Sequence, residues 1–109
     1  MSRIGVKPNE EGLAFVEKVL AMANLEPEGI FTHFAKADET ERDYTKIQFE
    51  RFNDIVSELE NRGVHIPIKH ICNSAGIIQY PEYHMDMVRS GIITYGLAPS
   101  SDVSVEGLG

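Results

Sequence analysis

The sequence predicts an α/β fold built on parallel strands. Two amphipathic helical segments alternate with short apolar runs, and the order is helix, strand, helix, strand, a short irregular segment and a third strand. Alternation of this kind is typical of a parallel sheet whose right-handed crossovers place a helix between neighbouring strands. About three strands are too few to close an eight-stranded barrel, which needs about 250 residues. We therefore expect the chain to be one piece of a larger α/β unit.

The first helix is predicted to begin after Asn9 and to end near Asn24. Asn9 can cap the first turn, and the acidic pair Glu10 and Glu11 suits the positive end of the helix dipole. Apolar side chains recur on one face at helical spacing, namely Leu13, Val16, Leu20 and Ala23. We expect this face to pack on the sheet.

The second helix carries the clearest helical pattern. Thr45 and Gln48 have the spacing of a capping box, and Tyr44 and Phe49 have that of a hydrophobic staple. Apolar residues then recur on one face, namely Phe52, Ile55, Val56 and Leu59. The helix is predicted to end at Gly63, the residue type that most readily adopts the left-handed conformation after a helix.

Polar side chains stand at the carboxyl ends of the first two apolar runs. His33 follows the run that starts at Gly29, and Asn73 and Ser74 follow the run from Ile66 to Cys72. Open parallel sheets and barrels bind their ligands beyond the carboxyl ends of their strands. Taken alone, however, such a histidine is more often a hydrogen-bonded core residue, and Asn and Ser are ordinary turn formers. The two readings stay open at this point.

The third run, Ile92 to Tyr95, predicts a buried strand that follows Gly91. Arg89 stands just before it and carries a permanent charge, which must find an acceptor beside a buried strand. Because glycine has no Cβ, the backbone NH groups from Gly91 onward can approach an anion closely. A binding site explains this pattern, and an ion pair between Arg89 and Asp86 explains the arginine equally well.

Composition excludes several classes of function. The 109 residues carry a net charge of −7, which argues against nucleic acid or an anionic membrane as the main partner. Cys72 is the only cysteine, so the sequence is compatible with a reducing cytoplasm, and we expect neither a secretory segment nor a membrane span. The histidines lack zinc-type spacing. The sequence lacks the Gly-x-Ser-x-Gly motif, which argues against a hydrolase built on Ser74 and His33.

Four groups of residues resemble, in the same order, successive motifs of bacterial alanine racemase. They are Met1-Ser2-Arg3-Ile4-Gly5; Thr32-His33-Phe34-Ala35 with Ala37-Asp38; His70 through Ala75; and Val88-Arg89-Ser90-Gly91-Ile92 with Tyr95-Gly96-Leu97 and Pro99-Ser100. The resemblance implies a fold-type III pyridoxal 5′-phosphate enzyme, a homodimer in which a C-terminal domain of the partner subunit completes each active site. Residues 1–109 would then be a partial (β/α)₈ TIM barrel from the N-terminal cofactor-binding domain.

The resemblance also implies a role for particular residues in binding the cofactor. Ser74, with the backbone NH groups of Gly91 and Ile92, would hold the phosphate. Arg89 would face the pyridine nitrogen, where a permanent cation keeps that nitrogen unprotonated and weakens the electron sink. Asn73 would support these cofactor-binding residues.

Two further residues are implied to act in catalysis. His33 would lie in a hydrogen-bond chain that links Arg89 to the catalytic tyrosine of the partner subunit. Arg3 would contact the cofactor's phenolic oxygen and the substrate carboxylate, for which a guanidinium fork is suited.

The family's cofactor-binding lysine and its catalytic tyrosine have no counterpart in this sequence. Two-base racemisation needs both groups on opposite faces of the substrate Cα. We therefore expect the parent protein to interconvert L- and D-alanine for cell-wall precursors, and the isolated chain to be inactive. The alternatives are a racemase for another amino acid such as serine, a non-catalytic pyridoxal phosphate-binding barrel, and an interaction fragment that binds no ligand and associates through its strand edges.

Overall fold

A computed structural model describes residues 4–107 of the chain. In chain order its regular elements are helix α1 (Glu10–Leu20), strand β1 (Gly29–Phe31), helix α2 (Asp43–Asn61), strand β2 (Ile68–His70) and helix α3 (Ser74–Gln79). Two short 3₁₀ segments follow, at Pro81–Tyr83 and Ile92–Tyr95.

The two strands pair in parallel, as the sequence predicts. Gly29 is opposite Ile68 and Phe31 is opposite His70 in the register. A third stretch of chain lies along the other edge of β2, where Met87 forms a single parallel bridge with His70. The backbone NH of Arg89 continues this alignment by donating to the Cys72 carbonyl at 3.0 Å. The α/β class with parallel strands is thus confirmed.

The predicted third strand at Ile92 to Tyr95 is wrong. These residues form a 3₁₀ segment, in which Ile92 is 43% and Tyr95 82% exposed. The chain pairs with β2 five residues earlier, around Met87, and leaves the sheet at Gly91. Local backbone bonds then replace the sheet ladder, because the Thr94 NH donates to the Gly91 carbonyl at 3.0 Å. A β-branched run favours a strand only where a packed sheet face receives it.

Helices cover the face of the sheet that carries Ile30. Ile30 packs against both groups of buried core residues, one around Phe34 and Ile71 and the other formed by Leu13, Leu59 and Ile66. The side chain of the next residue points to the opposite face, and there Phe31 is 58% exposed. Of the predicted apolar face of α1, Leu13 is buried and Val16 packs against the same core group, whereas Ala23 lies beyond the helix and is exposed.

The helix boundaries follow the predictions at the start of α1 and the end of α2, whereas α1 ends at Leu20, four residues before the predicted end near Asn24. Asn9 caps α1 by accepting a hydrogen bond from the Gly12 NH at 3.0 Å, and Gly63 after α2 has a φ of +79°, as predicted. The capping box is wrong, because α2 begins at Asp43 and its N-cap is Arg42, which makes no side-chain cap bond. The hydroxyl of Thr45 is buried without a hydrogen-bond partner among the described residues.

The contrast between two leucines tests this description of the core. Leu59 is 2% exposed, and Leu97 is 55% exposed. Leu59→Ala should lower the free energy of unfolding by about 2–5 kcal/mol, because it leaves a cavity between α1 and α2. Leu97→Ala should change it by less than about 0.5 kcal/mol. Urea unfolding followed by circular dichroism measures both, and equal effects of the two variants would contradict the assigned core.

Candidate functional site

The guanidinium of Arg89 lies where the carboxyl ends of the two strands meet. Its Nη2 donates to the Thr32 carbonyl at 2.9 Å and to the Ile71 carbonyl at 3.2 Å. Its Cζ lies 5.2 Å from the centroid of the Phe31 ring. Burial lowers the pKa of Arg89, but an arginine side chain stays protonated in proteins. A permanent cation is therefore fixed at this end of the sheet.

Two imidazoles contact this cation through Nδ1. Arg89 Nη1 lies 2.6 Å from His70 Nδ1, and Arg89 Nη2 lies 3.3 Å from His33 Nδ1. Because arginine can only donate, each Nδ1 acts as the acceptor and each neutral ring carries its proton on Nε2. Burial, and secondly the charge of Arg89, lower the pKa of His70. His70 therefore favours its neutral form, and its ring also stacks on Phe31 with centroids 4.9 Å apart.

The ion pair between Arg89 and Asp86 is not formed. The Asp86 carboxylate instead accepts a hydrogen bond from the Lys69 backbone NH at 2.8 Å. Within residues 4–107, the salt bridges involve other cations and leave Arg89 without a carboxylate partner. Carbonyl oxygens and imidazole nitrogens thus solvate the guanidinium without neutralising its charge.

Asn73 connects the beginning of α3 to the segment that follows β1. Its Oδ1 accepts from the Gly76 NH at 3.0 Å and caps the helix. Its Nδ2 donates to the Phe34 carbonyl at 3.3 Å and lies 3.4 Å from His33 Nε2. Asn73 is therefore both the turn former that its residue type suggests and a neighbour of the candidate catalytic histidine.

Ser74 and Gly91 meet at the opposite side of the site. The Gly91 NH donates to Ser74 Oγ at 2.9 Å. A Cβ on Gly91 would lie 3.2 Å from the same hydroxyl oxygen, so this close approach favours glycine. Ile92 follows directly as the first residue of the 3₁₀ segment. The three groups implied to hold a phosphate are therefore neighbours in the fold.

One open cleft with a volume of about 500 Å³ joins these two parts of the site. Its walls include every predicted site residue that the structure describes, namely His33, Asn73, Ser74, Arg89, Gly91 and Ile92. The remaining predicted residue, Arg3, lies outside the described residues. The volume is within the range of small-molecule and cofactor sites.

Several residues at the site were not predicted from the sequence, among them His70, Asp38 and Pro99. His70 is the last residue of β2 and makes the shortest side-chain contact with Arg89, so the same rule of carboxyl ends that singled out His33 would have found it. Asp38 and Pro99 line the cleft. Ser100 Oγ donates to the Asp38 carbonyl at 2.6 Å and joins these two walls, a long-range contact that leaves no signal in the sequence.

Other kinds of site find no support in the described part of the chain. Residues 4–107 contain no group of three or more His, Cys, Asp or Glu side chains placed to hold a metal ion. None of the helices found there is long and apolar enough to cross a membrane. Cys72 is fully buried, and burial raises the pKa of its thiol to about 11.

The sequence matches known proteins over nearly its whole length. It is 50% identical over 103 residues to the alanine racemase of Desulforamulus reducens, covering 94% of this chain. It is 48% identical over 106 residues to the alanine racemase of Methanococcus maripaludis, covering 97% of this chain. The chain spans only 28% of the length of each of these relatives.

Solved structures agree with the sequence matches. The alanine racemase of Clostridium difficile 630 in complex with cycloserine superposes with a TM-score of 0.93 at 42% identity, covering 97% of this chain and 29% of that one. The alanine racemase of Bacillus anthracis with bound L-Ala-P gives a TM-score of 0.85 at 37% identity, covering 94% of this chain and 26% of that one. The family model for the N-terminal domain of alanine racemase matches residues 1–99. The resemblance read from the motifs is thereby confirmed, and the chain belongs to the family of alanine racemase N-terminal domains.

Proposed function

We propose that this chain is part of a pyridoxal 5′-phosphate-dependent alanine racemase and supplies one section of its (β/α)₈ barrel. The observation that carries the proposal is a cleft whose walls include all six described site residues, Arg89 among them. The two strands and the Met87 bridge would be neighbouring strand positions of that barrel. Because the chain spans 28% of the length of its first relatives, the activity is proposed for the longer protein.

The Ser74 side of the cleft fits the phosphate of the cofactor. The Ser74 hydroxyl accepts the Gly91 NH through a lone pair, so its own proton can be donated to a phosphate oxygen. The Gly91 and Ile92 backbone lies beside it, and the absence of a Cβ at Gly91 lets an anion approach closely. Because the Gly91 NH is bonded to Ser74 in this arrangement, the donors that would face the phosphate are the Ser74 hydroxyl and the Ile92 backbone NH. A hydroxyl with an adjacent backbone NH is a common anion-binding set.

The Arg89 side of the cleft fits the pyridine nitrogen of the cofactor. When bound, pyridoxal 5′-phosphate supplies an electron sink for the negative charge that develops at the substrate Cα. The Arg89 guanidinium has five N–H groups to donate, and no described carboxylate neutralises its charge. Such a cation beside the pyridine nitrogen disfavours protonation of that nitrogen.

Alanine is the proposed substrate, and a second copy of the protein is the proposed partner. Alanine would bind with its carboxylate near Arg3, and the proton on His33 Nε2 would extend the hydrogen-bond chain from Arg89 towards the catalytic tyrosine of a partner subunit. The Nδ1 contact between His33 and Arg89 supports this orientation of the imidazole. The functional unit would accordingly be a homodimer.

The phosphate assignment can be tested with two serines. Ser74→Ala should weaken binding of pyridoxine 5′-phosphate by about tenfold or more, because it removes a hydrogen bond to a charged group. Ser104→Ala is the matched control, since Ser104 is exposed, does not line the cleft, and its hydroxyl accepts from the Glu106 NH. Calorimetric titration measures both affinities, and the probe lacks the aldehyde that reacts with surface lysines. Equal binding by the two variants, or equally tight binding of pyridoxine without its phosphate, would contradict the assignment.

Racemisation can be tested with the chain alone and in a longer protein. The purified 109-residue chain should not interconvert L- and D-alanine, because no residue of it matches the catalytic lysine or tyrosine. A chimera that carries this chain in place of the matched segment of the Desulforamulus reducens racemase should be active. Chiral chromatography measures the product. Activity of the chain alone, or a folded chimera without activity, would overturn the proposal.

The neutral state of His70, in which Nδ1 can accept a hydrogen bond from Arg89, predicts sensitivity to acid. Because burial and Arg89 lower the pKa of His70 in the folded state, the unfolded chain binds this proton first as the pH falls below about 6.5. The free energy of unfolding should therefore decrease on acidification until the folded-state pKa is passed. Urea unfolding from about pH 8 to about pH 5 measures this loss. His70→Gln should reduce it, and the exposed control His65→Gln should leave it unchanged; identical pH profiles would contradict this origin.

A further inference from the structure

Gln48 holds the chain on both sides of Phe34, just after β1. Its side-chain Nε2 donates to the His33 carbonyl at 2.6 Å, and its Oε1 accepts from the Ala35 NH at 3.0 Å. The side chain thus uses both halves of its amide on one short piece of backbone. Gln48 lies in α2 and is half-buried, so its contacts join the helix to the carboxyl end of the strand.

These two hydrogen bonds hold the backbone just beyond the end of strand β1, where pairing with β2 no longer fixes it. Strand β1 ends at Phe31, and the Thr32 NH makes the next bond to β2, at 3.3 Å from the His70 carbonyl. His33 follows, and its ring lies 3.3 Å from Arg89 Nη2. A small movement of the His33 backbone would move the imidazole away from Arg89, because the ring is joined to its Cα through Cβ alone.

We propose that Gln48 is a positioning residue, whose amide fixes the backbone of His33 and Ala35 and so holds the His33 imidazole against Arg89. Its consequence for catalysis rests on the proposed racemase function, whereas the geometry can be tested without it. The role requires a side chain that donates and accepts at the same time. Glutamate has the same length, but an ionised carboxylate cannot donate to the His33 carbonyl.

Gln79 offers a matched control. Its Nε2 donates to the Ala37 carbonyl at 2.7 Å, so it also ties a helix to the segment that follows β1. Gln79→Glu removes a hydrogen bond of the same kind, donated by a side-chain amide to a backbone carbonyl four residues beyond His33. An effect that is specific to the His33 backbone should appear in Gln48→Glu and be absent from Gln79→Glu.

The first experiment observes the site directly in the 109-residue chain. Nuclear Overhauser contacts between the Arg89 guanidinium protons and the two imidazole rings report their proximity. We expect Gln48→Glu to lose the contact with His33 and to keep the contact with His70, which is held by β2. Gln79→Glu should keep both contacts. An unchanged His33 contact in Gln48→Glu would overturn the proposal. Methionine is uncharged and can make neither of the two hydrogen bonds of Gln48. If Gln48→Glu does not fold, the His33 contact in Gln48→Met decides whether Gln48 is a positioning residue.

The second experiment measures the consequence for turnover in the active chimera. We expect Gln48→Glu to lower kcat about tenfold or more, since displacing a group near the reacting atoms by about 1 Å can cost up to about 100-fold. KM should stay within about twofold, because Gln48 is not among the residues that line the cleft. A general loss of folded protein would lower the active concentration of enzyme, without changing kcat per cofactor-loaded site.

The two proposals fail in different ways. A folded wild-type chimera without racemase activity would reject the proposed function, and the Overhauser contacts of the 109-residue chain would still decide the role of Gln48. An active chimera in which Gln48→Glu and Gln79→Glu have the same kcat per cofactor-loaded site would reject the positioning role and leave the proposed function intact.

Discussion

The structure depends on one half-buried cation, Arg89, which has no carboxylate partner among residues 4–107. Removing a guanidinium from water is costly, and the cost must be offset by hydrogen bonds of good geometry. Arg89 obtains them from the carbonyls of Thr32 and Ile71, which lie just past the ends of β1 and β2. The parallel register of the two strands sets the spacing of those carbonyls. The sheet is therefore the scaffold that makes this charge tolerable, and a slip in register would leave the charge poorly solvated.

The side of the site that contacts Ser74 depends on a different device, a helix cap. Asn73 ends the extended segment after β2 by accepting the Gly76 NH, and this turns the chain into α3 with Ser74 as its first residue. The Ser74 hydroxyl then meets the Gly91 NH. The structural and functional interpretations of Asn73 are thus compatible, because the cap that forms the helix also places the hydroxyl in the cleft.

Features determined by short-range chemistry could be predicted from the sequence, and those determined by long-range pairing could not. The Asn9 cap and the Gly63 terminus depend on a few neighbouring residues and were found as expected. The strand assigned to Ile92 was wrong because pairing with β2 is decided at Met87 by tertiary contacts. Similarly, the spacing of Gln48 suits a cap, but its amide binds the backbone after β1.

The site itself was found by resemblance more than by pattern. Composition and periodicity placed His33 and Ser74 at carboxyl ends, where ligands bind, but left their chemistry open. The sequence neighbour Asp86 was a plausible partner for Arg89, yet the sheet turns its carboxylate towards the Lys69 NH. Only the ordered motifs of a known family implied that residues from three separate segments share one cleft, and the fold brings those segments together.

The open face of the sheet has a consequence for the proposed cofactor site. Phe31 stacks on His70 and faces the Arg89 guanidinium, yet it is 58% exposed. Water near this ring screens the charge of Arg89, and electrostatic interactions are much stronger where water is excluded. The relatives are more than three times as long as the segment matched here. If neighbouring strands of the proposed barrel cover Phe31, they strengthen the contact of Arg89 with a pyridine nitrogen without moving any residue of this chain. The contacts of Arg89 can thus be set by residues of this chain, while the affinity for the cofactor depends on the rest of the protein.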